Sequence, residues 1–188
     1  MKGVDNNKGK QVAARVGFVP LTGLVLGLSY ARGPYLDSAV GDTLRARGEE
    51  VEDFQQEILG LDAEYSFRHL KVIGEFAANR WGSPNIRDGQ GRRADLKSYG
   101  WYAEGKYTLL PGVYGAVRYE GLSFGKIDDG SGTGKRVGWE YRVRRWELGL
   151  GYYVTNEVIG KAVWQAYSTG APGDHYEGFL ALQLSASF

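Results

Sequence analysis

The sequence predicts an all-β fold, an antiparallel up-and-down transmembrane β-barrel, and three observations predict it. Apolar residues recur at every second position along most of the chain, the period of a strand rather than of a helix. The 188 residues include 29 Gly, 13 Tyr and 5 Trp, yet mean hydropathy is only −0.37. A lipid-facing strand is apolar on one face only, so aromatic richness and low mean hydropathy coexist in such a wall. Finally, short and long polar connections alternate between the periodic segments, as they do between the two rims of a bacterial barrel.

Nine segments carry the alternation. Near 11–19, Val12, Ala14, Val16 and Phe18 oppose Arg15; near 23–32, Leu24, Leu26, Leu28 and Tyr30 oppose Val25, Gly27 and Ser29. Near 57–68, Leu59, Leu61, Ala63, Tyr65 and Phe67 oppose Asp62, Glu64, Ser66 and Arg68; near 70–81, Val72, Gly74, Phe76 and Ala78 oppose Lys71, Glu75 and Asn79. Near 97–108, Tyr99, Trp101, Ala103, Gly105 and Tyr107 oppose Tyr102, Glu104 and Lys106; near 113–124, Val113, Gly115, Val117 and Tyr119 oppose Arg118 and Glu120. Near 140–153, Trp146, Leu148, Leu150 and Tyr152 oppose Arg145 and Glu147; near 158–168, Val158, Ala162, Trp164 and Ala166 oppose Lys161 and Gln165. The last segment, 176–188, puts Tyr176, Leu180, Leu182, Leu184 and Phe188 on one face and Glu177, Gln183 and Ser185 on the other. Each segment is long enough to cross a bilayer at a tilt. Arg142 and Arg144 share the parity of Trp146, so either they lie above the lipid zone or a β-bulge near Arg144–Arg145 flips the phase, and the bulge is the expectation.

Short turns are expected at 19–23, 68–70, 109–112 and 155–157, and longer polar loops at about 33–56, 82–96, 125–139 and 169–175. The 33–56 segment is only weakly periodic and reads as irregular loop. An odd strand count puts the two chain ends on opposite rims, whereas bacterial single-chain barrels have even counts. The start is polar, without the apolar core of a signal peptide. The expectation is a single domain that forms the C-terminal portion of a longer barrel, with residues 1–10 a polar lead-in.

Composition excludes several chemistries. There is no cysteine, and net charge is +1, which argues against a broad nucleic-acid-binding face. His69 and His175 fall in a short turn and a long loop, at opposite ends, so they cannot share a metal or catalytic site. No metal, cofactor or enzymatic activity is expected. The run Asp128 to Lys135 is Gly-rich but opens no helix, so it reads as a flexible loop rather than a phosphate loop. Candidate pore-lining residues are those on the polar parity: Arg15, Glu64, Arg68, Glu75, Glu104, Lys106, Arg118, Glu120, Arg145, Glu147 and Lys161. Charge on a channel wall sets ion preference. A cluster of Arg118, Arg142, Arg144 and Arg145 favours anions. Trp101, Tyr107, Trp146, Tyr152, Trp164 and Tyr176 are expected in two interfacial girdles.

The C-terminal Leu-Ala-Leu-Gln-Leu-Ser-Ala-Ser-Phe resembles an outer-membrane insertion signal, carried by Leu180, Leu182, Leu184 and Phe188. Hairpins such as Gly105–Tyr119 and Trp146–Ala162 resemble the C-terminal half of porins, nearest the phosphate-selective porins of the O/P type. The resemblance implies insertion by the barrel-assembly machinery, the outer membrane of a Gram-negative-type bacterium, and a homotrimer. The expected function is a porin-type channel for passive diffusion of small hydrophilic solutes, with anions preferred if the arginines gather in the pore. The alternatives are a non-conducting barrel acting as anchor, adhesin or secretion component, and a soluble ligand-binding barrel.

Overall fold

The structure is a computed structural model that describes residues 9–88, 90–155 and 157–187. Phe188, the last residue of the expected insertion signal, lies outside the described residues, as do residues 1–8, Gly89 and Asn156. The described chain is dominated by antiparallel strands: β1 (Val12–Leu21), β2 (Leu24–Pro34), β3 (Gln55–Phe67), β4 (Leu70–Arg87), β5 (Arg93–Leu110), β6 (Val113–Phe124), β7 (Lys126–Asp128), β8 (Arg136–Gly138), β9 (Val143–Tyr153), β10 (Val158–Ser168) and β11 (Glu177–Ala186). Nine of them make one up-and-down sheet in the order β1-β2-β3-β4-β5-β6-β9-β10-β11. β7 and β8 form a separate small hairpin. β1 and β11 are the two edges and do not pair with each other, so among the described residues the sheet is open.

Local chemistry explains the short turns. Pro111-Gly112 joins β5 to β6 with Gly112 at φ 80°, the arrangement of a type II turn with Pro at its second and Gly at its third position. Gly23, at φ 87°, does the same work between β1 and β2. Arg68 occupies the turn between β3 and β4, with φ 54°, and its guanidinium sits 5.1 Å from the Phe67 ring. It is therefore a turn residue at the sheet's end rather than a member of a strand face.

Three of the four long connections differ from the sequence expectation. The 82–96 segment is mostly strand, because β4 and β5 run on together to Arg87 and Arg93 and leave a tight turn in which Asp88 accepts from the Gln90 and Arg92 backbone N–H groups. The 125–139 segment holds the β7–β8 hairpin, whose tip is ordered by the Asp129 carboxylate accepting from Ser131. The 33–56 segment, expected as irregular, carries 3-10 turns and a short helix, α1 (Gly41–Arg45). It folds around its own apolar cluster of Leu44, Val51 and Phe54. Phe54 is 1 % exposed and Leu44 3 % exposed. Weak periodicity hid this unit, because three apolar residues spread over short turns make no period.

The large sheet, by contrast, has almost no buried core. Total accessible surface is 13081 Å² for 20.7 kDa, where a compact monomer of that mass exposes roughly 8,900 Å². Both faces of the sheet account for the excess. One close-packed point is Tyr114, whose ring lies flat over Gly151: a Cβ on Gly151 would come within 2.2 Å of the Tyr114 Cζ. Gly151→Val is expected to lose about 1–3 kcal/mol by evicting that ring. Gly105→Val, where a Cβ meets nothing within 4 Å, is expected to be neutral. Denaturant midpoints of the two variants check this.

Candidate functional site

Register assigns every strand residue to one of two faces, because directly paired residues in neighbouring strands point the same way. On one face the pairing links Leu26, Ala63, Gly74, Ala103, Tyr119, Trp146 and Ala166 in a single row. The rows on either side are apolar along Leu28–Leu61–Phe76–Trp101, which continues to Arg144 on β9, and along Val72–Gly105–Val117–Leu148–Trp164. The large apolar side chains on this face are exposed, Leu148 at 48 % and Leu182 on β11 at 79 %, whereas Ala166 is buried.

Ten aromatics on this face fall on two parallel lines oblique to the strands, with Tyr99 two residues outside the first line and Phe67 two residues outside the second. The first runs Tyr30, Phe76, Trp101, Tyr119, Trp146, Trp164. Tyr30 pairs through Leu59 with Ala78, and Phe76 lies two residues further toward the short-turn end. Phe76 pairs directly with Trp101, whose partner Gly121 lies two residues from Tyr119. Tyr119 pairs with Trp146, whose partner Ala166 lies two residues from Trp164. The second line, Phe18, Tyr65, Tyr107, Tyr152, steps by two residues over every two strands in the same direction. Both lines therefore shift by about one residue per strand. With a rise of ~3.4 Å per residue and strands ~4.8 Å apart, a level line of that kind means strands tilted by about 35°. Membrane barrels tilt their strands by roughly 35–45°. Tyr176, expected in a girdle, lies outside β11 and on neither line.

Between the lines every described residue on this face is apolar or glycine. Charge begins just beyond the first line. Arg32, Glu57, Arg80 and Lys97 form one row, with Arg32–Glu57 at 3.5 Å, Arg80–Glu57 at 3.6 Å and Arg80–Asp95 at 2.6 Å. Arg144 lies on the same face, two residues beyond Trp146 on the long-loop side, pairing with Gly121 and Ser168. The register of β9 runs without a shift on both sides, so the expected bulge is absent. Arg144 sits on the apolar parity because it lies past the end of the apolar zone, where no phase flip is needed. On β5 the charge-free face runs from Tyr99 to Leu109, about 34 Å along the strand and about 28 Å in height at that tilt.

The opposite face holds the charges. Its rows are Asp62–Glu75–Tyr102–Glu120–Arg145, then Glu64–Ile73–Glu104–Arg118–Glu147–Gln165, then Lys71–Lys106–Ala116–Gly149, with Lys161 one row further toward the short turns. Of the expected lining residues, Glu64, Glu75, Glu104, Lys106, Arg118, Glu120, Arg145, Glu147 and Lys161 gather here, and Arg15 on β1 reaches Asp62 at 2.7 Å. Arg68 does not, since it is in the turn. Asp62 and Lys71, on the same parity but not among the expected lining residues, belong to this face too. Each is the ion-pair partner of an expected lining residue, Lys71 with Glu64 at 2.8 Å.

Arg118 and Arg145 are both committed. Arg118 bonds Glu120 at 2.9 Å, lies 3.8 Å from Glu104 and covers the Tyr102 ring at 3.9 Å. Arg145 bonds Glu120 at 2.7 Å. Arg142 lies outside the strands and Arg144 on the other face, so the four arginines do not form one cluster. Three hollows open on the charged face: about 470 Å³ beside Arg15, Gly60 and Asp62, about 330 Å³ beside Glu75, Gly100 and Arg145, and about 210 Å³ beside Lys106, Ala116 and Lys161. Their floors are small residues, and their rims are charged.

His69 lies in the β3–β4 turn and His175 in the β10–β11 loop, at opposite ends of the sheet. No group of three potential ligands that could hold a metal occurs among the described residues. No helix among them is long and apolar enough to cross a membrane. The β10–β11 loop is tied by Asp174, which accepts from the Thr169 hydroxyl and backbone N–H. The Thr169 hydroxyl and then its N–H hold the Asp174 carboxyl below its usual range. Comparison with family models and with curated proteins finds no match for this chain.

Proposed function

We propose that the chain forms an arc of an outer-membrane β-barrel wall, with its apolar face toward lipid and its charged face toward a water-filled lumen. The wall serves a passive channel for small hydrophilic solutes, in the outer membrane of a Gram-negative-type bacterium. The observation that carries the reading is the pair of aromatic lines, level at one common strand tilt, with an uncharged zone between them. A soluble sheet has no reason to align aromatics on a plane oblique to its strands. The charged face argues against a soluble ligand-binding barrel, whose interior is normally apolar. It also fits a wet lumen, where ion pairs retain access to water.

β1 and β11 run in the same direction, because nine alternating strands separate their senses by an even number of reversals. Antiparallel closure therefore takes an odd number of further strands between these edges. A second copy in the same orientation would meet each edge in parallel. Closure matters because an unpaired strand edge in hydrocarbon costs on the order of several kcal/mol per backbone group. The ion-paired state of Arg118 and Arg145 favours a mixed-charge lining over an anion-selective one. The resemblance of the C-terminal strand and hairpins to porins agrees with a channel.

Reconstitution into lipid tests the reading. Polarised infrared spectroscopy is expected to report strands tilted by about 35°, and planar bilayers to show stepwise conductance. Strands lying flat on the membrane, or a protein that stays soluble without detergent, would overturn the membrane assignment. Insertion without conductance would move the function to a structural anchor.

A further inference from the structure

The inner face sorts its unpaired charge by height. Most ionic groups there cancel locally: Arg15 with Asp62, Lys71 with Glu64, and Arg118 and Arg145 with Glu120. Besides Glu177, which accepts from the Tyr167 hydroxyl at the start of β11, four groups are in no ion pair among the described residues. Glu75 faces Tyr102, and Glu147 accepts from the Gln165 amide at 2.5 Å. Lys106 lies 3.7 Å from the Tyr114 ring and donates to the Tyr153 hydroxyl at 3.3 Å. Lys161 rims the smallest hollow. Counted along the oblique level of the aromatic lines, Glu75 and Glu147 stand close to the first line, whereas Lys106 and Lys161 stand about three residues nearer the short turns. At the sheet ends the charges are mixed: Glu177 and Arg144 stand at the long-loop end, and Arg68 and Glu157 lie in short turns.

We infer that the lumen is electrically polarised along its axis, a cation-rich zone on the long-loop side in series with an anion-rich zone on the short-turn side, and that it conducts asymmetrically. The inference rests on the channel reading above. The physics is that of two oppositely charged zones in series. When the long-loop side is positive, cations enter through the carboxylate zone and anions through the lysine zone, and carriers accumulate where the zones meet. Reversed polarity drives both away from that junction and depletes it. A charge about 7 Å from a passing ion in water changes local ion concentration by roughly threefold. The effect is therefore large at low salt and screened at high salt, where the Debye length falls to about 3 Å at 1 M.

Single-channel current–voltage curves test this. The chain has no cysteine, so Ser131→Cys at the β7–β8 tip, blocked from one chamber by a bulky thiol reagent, fixes the orientation of each insertion. At about 0.1 M KCl, conductance should be roughly threefold larger with the long-loop side positive, and symmetric at 1 M. The double variant K106Q/K161Q should remove the asymmetry and move the reversal potential in a salt gradient toward cations. E75Q/E147Q should remove it and move the potential toward anions. Symmetric current at low salt, or asymmetry that survives both double variants, overturns the inference while leaving the channel intact. No conductance at all overturns the channel reading and the inference with it.

Discussion

Leu148→Arg in lipid-reconstituted protein is expected to lose about 2–4 kcal/mol of folding stability, the cost of an arginine at mid-depth on the lipid face of a barrel. Leu148 is 48 % exposed, and in a water-soluble sheet a surface substitution of this kind stays within about 0.5 kcal/mol. The two environments thus predict effects that differ by a factor of at least four. The matched control is Gln165→Arg, one residue along the neighbouring strand's pairing from Leu148's partner Trp164 and on the opposite face, beside Glu147. It places the same side chain on the charged face and is expected to be close to neutral. Urea titration of tryptophan fluorescence in vesicles measures both. Equal, small losses in the two variants would remove lipid from the account of the apolar face.

Glu49→Ala is expected to unfold the β2–β3 loop while the sheet persists. Glu49 is 7 % exposed overall, and one carboxylate oxygen takes Arg93 at 2.6 Å and Arg87 at 3.5 Å. Arg93 in turn stacks 4.9 Å from Phe54, the most buried side chain of the loop's cluster. The loop is also tied by Tyr35 to the Gly82 carbonyl at 2.8 Å and by Arg47 to Asn85 at 3.0 Å. Removing a fully buried pair's partner costs about 3–5 kcal/mol. Both arginines here reach water, at 42 % and 44 % side-chain exposure, so the loss should be about 1–3 kcal/mol. Because Pro34↔Gln55 already closes the β2–β3 ladder, the damage should stop there. Limited proteolysis after Arg45 or Arg47 reads the loop, and amide exchange across β3 reads the sheet. Exchange that rises throughout β3 would mean the loop and the wall fold as one unit.

The sequence by itself determined which residues share a face. A strand's side chains alternate with a period of two whatever surrounds them, so Leu24, Leu26 and Leu28 had to oppose Val25, Gly27 and Ser29 once a strand was granted. The same logic gave the nine strands of the sheet, most turn positions and the shared face of all but one of the candidates. Arg68 was the exception, because parity counts on through a turn that the backbone breaks. What lies between strands was less legible. The loop fold around Phe54 depends on contacts with Arg93 and Gly82, more than 25 residues away. The extension of β4 and β5 depends on their pairing with each other, since neither is strongly apolar there.

Only the tertiary structure decided height. Whether Arg144 breaks the apolar pattern or merely ends it depends on the register of β6, β9 and β10 and on the tilt common to all the strands, and no single strand contains that information. The aromatic lines and the separation of Glu75 and Glu147 from Lys106 and Lys161 have the same origin. Each strand records only its own alternation, and hydrogen-bonded register is what sets one strand's positions level with the next.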